Sequence, residues 1–122
     1  KHVAMINMDM ISRNGPFDMK IGKMDQFEGL NRIVYGVAEH LKVVLDPSGM
    51  EQYLRRSDQA AFIDAGVPAV FLYGGDHPQY HTENDDVGLI LPEKICNISR
   101  LMFLAAYECA EFEGSFSVGS GG

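Results

Sequence analysis

Seven consecutive residues in the second half of the chain, Val67–Tyr73 (VPAVFLY), carry no polar side chain except one tyrosine hydroxyl. A strand without a polar face has to be covered on both sides, the situation of a central strand in a parallel sheet. The chain must therefore supply helices for two layers. A second mostly apolar run, His2–Met10, has the same character and predicts another strand. With 122 residues there is material for one domain and too little for two. Strand-like blocks alternate with helix-like blocks, which places the chain in the α/β class.

The clearest helical period lies between Gln26 and Lys42. Phe27, Leu30, Val34, Val37 and Leu41 recur three and four apart and make one apolar stripe. Asp25 is placed to cap this helix, with Glu28 completing a capping box. Ahead of it, Asn14, Gly15 and Pro16 mark a turn, and Met19, Ile21 and Lys23 suggest a short strand. Val43–Leu45 reads as another short strand, ended by Asp46, Pro47, Ser48 and Gly49. Ser57–Ala65 is a short helix with Ser57 as cap, Asp58 in the first turn and Gly66 just past its end. Gly74–Asp86 is a polar loop. The last helix runs from Pro92, a good first helical residue, to Phe112, with Ile95, Ile98, Met102, Ala105 and Cys109 as its core face.

Charge narrows the function. Ten Lys and Arg against 17 Asp and Glu leave a net −7, unsuited to neutralising the phosphates of a nucleic acid. No apolar run approaches the ~20 residues of a membrane-spanning helix. The two cysteines, Cys96 and Cys109, fall on one predicted helix about 20 Å apart, too far for a disulfide, so both are expected free and buried. The chain opens directly into a strand and is expected to be a fragment or processed product. Residues 1–113 form the folded part, and 114–122, rich in Gly and Ser, read as a flexible tail.

Polar groups that bear chemistry collect at two places. Asp9 ends the first strand, and the loop after VPAVFLY carries His77, Tyr80, His81 and Asp85. Ligands of open α/β sheets bind beyond the carboxyl ends of the strands, and carboxylate with imidazole suits zinc. The same residues have plainer uses: an Asp at a strand end commonly makes an Asx turn, and a loop His is commonly solvated. HExxH, paired CxxC, GxGxxG, P-loop and GxSxG motifs are all absent.

The succession NMDMIS, RSDQAAFIDAGVPAVFLYGG and HPQYHTENDDV resembles the C-terminal half of the co-catalytic di-zinc aminopeptidases, over roughly Val3 to Phe112. That family includes leucyl-type aminopeptidases and glutamate carboxypeptidase, and shares its fold with glutaminyl cyclases and the transferrin receptor ectodomain. The resemblance implies a three-layer α/β/α zinc-exopeptidase fold, a mostly parallel mixed sheet with helices on both faces, present as its C-terminal portion. It assigns Asp9 as a carboxylate ligand to one zinc and His81, of the YHT motif, as an imidazole ligand to the other. Tyr80 matches a tyrosine whose hydroxyl stabilises the tetrahedral intermediate. Asp58 and Asp85 match groups that act behind the ligands, by hydrogen bonding and by holding the loop. His77 has no ligand role in the pattern and reads as a surface residue. Gln59 stands where His is common, and Asp86 where Thr is common.

The family site also needs an HxD pair and a Glu-Glu pair, and neither occurs here. The resemblance thus implies part of a zinc aminopeptidase that hydrolyses peptides with a water activated at two zinc ions. The isolated chain, offering one ligand per metal, is expected to be inactive. Its partners would be a peptide substrate in the parent protein, the N-terminal half of the catalytic domain, and further copies of itself through an exposed sheet edge. A glutaminyl-cyclase-like zinc acyltransferase is an alternative, although its pattern has Trp where this chain has Tyr80. A non-catalytic binding module on the same fold is another. The resemblance favours a secreted or periplasmic location, which nothing else in the sequence fixes.

Overall fold

The computed structural model describes residues 2–116. Four strands, β1 (Met5–Asp9), β2 (Asp18–Gly22), β3 (Val44–Asp46) and β4 (Ala69–Tyr73), form one sheet in the order β1-β4-β2-β3. Three helices accompany them: α1 (Glu28–Leu41), α2 (Gln59–Asp64) and α3 (Pro92–Glu111). The expected α/β fold with a mixed sheet is present. Among the described residues no helix is long and apolar enough to cross a membrane.

All five residues of β4 are buried, as its uninterrupted apolar sequence requires. It lies parallel to β1, with Met5 opposite Ala69 and Asp9 opposite Tyr73, and antiparallel to β2. A strand apolar on both sides needs cover on both faces, and that need leaves the direction of each neighbour open. Hence the expected parallel setting holds on one flank of β4 only. The second parallel pair is β2 with β3.

Side chains alternate across the sheet. Val70 and Leu72 of β4 join Met19 and Ile21 of β2 on one face, where they pack with Leu30 and Val34 of α1 and with Ile98 and Leu101 of α3. Phe71 and Tyr73 point to the other face and pack with Met50, Tyr53 and Met10. Asn7, level with Phe71, donates from Nδ2 to Gln59 Oε1 at 3.0 Å and so ties α2 to that second face. Helices therefore cover both faces.

Several local expectations are corrected by tertiary contacts. Asp25 does not cap α1. Its carboxylate accepts from Lys23 Nζ at 2.6 Å, the chain first makes a 3-10 turn over Asp25–Phe27, and no side chain caps the helix. Nor does Ser57 cap α2, because its hydroxyl turns to Asn7 and Asp9. The buried stripe of α3 is Lys94, Ile98, Leu101, Ala105 and Cys109. Ile98, Ala105 and Cys109 are where they were expected, while Ile95 and Met102 fall on the flanks, half-buried, and Lys94 and Leu101 take the buried places beside them. Both cysteines are free, and only Cys109 is buried, Cys96 facing solvent. Within the expected tail, Phe116 is buried and stacks on Phe112 with ring centroids 4.5 Å apart. Residues 117–122 lie outside the described residues.

Candidate metal centre

The parallel pair β1–β4 ends at Asp9 and Tyr73, and the chain leaves both strands on the same side of the sheet. The exits lie extremely close. Gly74 N–H donates to the Asp9 carbonyl at 3.2 Å, and a β-carbon on Gly74 would stand only 1.8 Å from the Met10 carbonyl oxygen. Only glycine fits there. Met10 itself takes a left-handed backbone conformation, φ 53°, which turns the chain sharply after Asp9.

This approach brings the loop after β4 over the end of β1. Asp9, Tyr80, His81 and Asp85 line one cleft of about 310 Å³ together with Met10, Ser12 and His77. Four of the five site residues expected from sequence therefore meet. Asp58 does not. It stands exposed at the start of α2, with no side-chain hydrogen bond among the described residues, and its neighbour Ser57 makes the contact with Asp9 instead.

Behind Asp9 runs a chain of hydrogen bonds that the sequence did not announce. Gln59, fully buried, donates from Nε2 to the Tyr53 and Leu54 carbonyls at 3.1 and 2.9 Å. Its Oε1 accepts from Asn7, which also donates to Ser57 Oγ at 2.9 Å. Ser57 Oγ then reaches Asp9 Oδ2 at 3.4 Å. The side-chain direction of Asp9 is thereby referred back to a buried amide. The one sequence signal for this chain was Gln59, standing where the resembling proteins commonly have His.

On the loop side the anchor is Arg13. Only 7% exposed, it donates to the Asp85 carboxylate and, at 2.9 Å, to Gln79 Oε1. Asp85 is thus taken up by a guanidinium and holds the loop. His81 sits at φ 55°, in the left-handed region, a conformation uncommon for residues with a β-carbon and found at ligand clamps. The Tyr80 ring stacks on its imidazole, centroids 3.8 Å apart, and remains 45% exposed. His77 corrects its expected surface placement: it is half-buried against the cleft, and its Nδ1 is buried with no hydrogen-bond partner among the described residues.

The donor set suits zinc in kind, one carboxylate and one imidazole, but a catalytic zinc takes three protein ligands. Among the described residues no three His, Cys, Asp or Glu side chains gather in a metal-binding arrangement.

Comparison with known proteins places the chain in a family. A crystal structure of the LapA aminopeptidase from Legionella pneumophila superposes with a TM-score of 0.70 at 23% identity, over 92% of this chain and 32% of that one. At that identity the likeness concerns the fold, and the chain spans about a third of the aminopeptidase's length. No curated protein sequence matches. The family model for peptidase family M28 matches residues 1–106, nearly all of the described chain. The chain belongs to peptidase family M28.

Proposed function

We propose that this chain is part of a zinc-dependent aminopeptidase, releasing N-terminal residues from peptides, and that it contributes Asp9 and His81 as ligands to two different zinc ions. The observation that carries the reading is the meeting of Asp9 and His81 in one cleft at the carboxyl end of β1 and β4. When bound, the zinc ions would supply Lewis acidity toward the scissile carbonyl and acidify a water. Asp9 is aimed by Ser57 and Asn7, and His81 is held by a loop that Arg13 and Asp85 tie down. Tyr80 offers a hydroxyl donor to the developing oxyanion, a task its exposure permits. One ligand per zinc leaves the isolated chain a weak zinc binder without peptidase activity.

The test uses the full-length enzyme, an aminoacyl chromogenic substrate, and zinc content measured on the same preparations. His81→Ala is expected to lose zinc and activity together. Tyr80→Phe should keep its zinc and lose on the order of 10²–10³ in kcat with little change in KM. A Tyr80→Phe enzyme with wild-type kcat would make Tyr80 a packing residue. Full zinc and full activity in His81→Ala would overturn the reading.

A further inference from the structure

A second cavity, about 650 Å³, opens between β2, β3, the start of the loop after β4 and the first turn of α3. Its volume is in the range of small-ligand sites. Lys94 lines it, 0% exposed, and among the described residues the Lys94 ammonium has a single acceptor, the Gly74 carbonyl at 3.5 Å. That carbonyl is already engaged by Asn14 Nδ2 at 2.7 Å. An ammonium has three donors to place, so most of its hydrogen-bonding capacity is unused in a site removed from water. Burial pushes the Lys94 amine below its ordinary pKa, against a smaller upward pull from Asp18.

The other charges on the cavity wall are spoken for, with one exception. Lys20 and Asp46 pair at 2.6 Å, and Asp46 also accepts from Ser48. Asp76 accepts from the hydroxyls of Tyr73 and Tyr53. The exception is Asp18, exposed at the rim, whose carboxylate makes no hydrogen bond or ion pair among the described residues. Two opposite charges therefore face one cavity without touching. Val44 and Pro47 add apolar surface to the same wall.

We propose that this cavity binds a free apolar α-amino acid, with its carboxylate on Lys94, its ammonium group on Asp18 and its side chain against Val44 and Pro47. The ligand is complementary group by group. Its carboxylate fills the unused donors, its amine bridges to the unpaired rim charge, and its hydrocarbon covers the apolar wall. The flexible four-carbon stem of Lys94 lets the ammonium rise to meet it. The site is distinct from the Asp9–His81 cleft and shares no lining residue with it.

Isothermal titration of the metal-free chain, dialysed against chelator, tests this apart from any zinc chemistry. Three probes are used: L-leucine, leucinamide, which lacks the carboxylate, and 4-methylpentanoate, which lacks the amine. Leucine is expected to bind with one-to-one stoichiometry, and each analogue at least about ten-fold more weakly, the scale of a lost charged hydrogen bond. Lys94→Met and Asp18→Asn should each weaken leucine by a similar factor. The exposed position of Asp18 keeps that variant folded even if the buried substitution perturbs the chain. No leucine binding at millimolar concentration would overturn the proposal. So would leucinamide binding as well as leucine, or leucine binding unchanged in the Asp18→Asn chain. Peptidase activity enters none of these outcomes, so the zinc reading and this one fail separately.

Discussion

A β-carbon at position 74 would sit 1.8 Å from the Met10 carbonyl oxygen, so Gly74→Ala has to push apart the two strand exits that create the cleft. The expected cost is about 3 kcal/mol or more, the scale of forced backbone displacement, read as a lower urea midpoint at unchanged slope. Lys94→Met is expected to act the other way. An incompletely satisfied ammonium held out of water opposes folding, so an apolar replacement of similar length should stabilise by about 1 kcal/mol near neutral pH. Because the folded pKa of Lys94 lies below the unfolded value, the unfolded chain binds more protons across that window. Wild-type stability then rises with pH there, and the advantage of the methionine variant should shrink between pH 7 and 10 when the two are melted side by side. At this scale sequence reading singled out Asp9, Tyr80 and His81, which short patterns carry and which the fold brings into one cleft. It failed for Ser57, His77 and Lys94. Their roles depend on partners tens of residues away, such as Asn7 for Ser57 and Gly74 for Lys94.

Helix ends show the same division at the level of elements. Both α1 and α2 close with paired backbone hydrogen bonds around a left-handed residue. In α2 that residue is Gly66, φ 80°, with Gly66 N–H on the Ile63 carbonyl and Val67 N–H on the Phe62 carbonyl. In α1 it is Lys42, φ 61°, with Lys42 N–H on the Glu39 carbonyl and Val43 N–H on the Ala38 carbonyl. A β-carbon on Gly66 would meet nothing within 4 Å. Gly66→Ala therefore tests conformation alone and should cost about 1 kcal/mol, while Lys42→Gly should gain up to about as much. Paired thermal melts of the two variants would show shifts of opposite sign. The Gly66 terminus was legible because glycine advertises it. The Lys42 terminus was readable only as the place where the apolar stripe stops. The N-terminal caps were misread because Asp25 and Ser57, each a good cap by type, found stronger partners in Lys23 and in the Asn7–Asp9 pair.

At the scale of the whole molecule, the sheet formed by the described residues ends at β1 on one side and β3 on the other. Met5 N–H donates to Pro68 and the Asp9 carbonyl accepts from Gly74, so odd-numbered residues of β1 bond toward β4. By alternation, Ile6 and Met8 turn their N–H and C=O groups outward. Hydrogen exchange should find the Ile6 and Met8 amides fast beside a protected Asn7. If copies of the chain pair through this flank, as proposed from the exposed edge, those two amides should become protected as concentration rises, while unchanged exchange would exclude pairing there. The layered α/β plan was readable from the apolar runs and the helical period. The place of β2 was not, since its antiparallel contact with β4 follows from packing rather than from any local pattern.

β1 thus carries an open flank along its length and Asp9 at its tip. A strand laid against the flank and a cation held at the tip would both reduce the freedom of the same five residues. Thermodynamic linkage then makes the two events reciprocal: whatever factor one adds to the affinity of the other, it receives back unchanged. Association constants measured with and without zinc, and zinc affinities measured dilute and concentrated, should yield the same number.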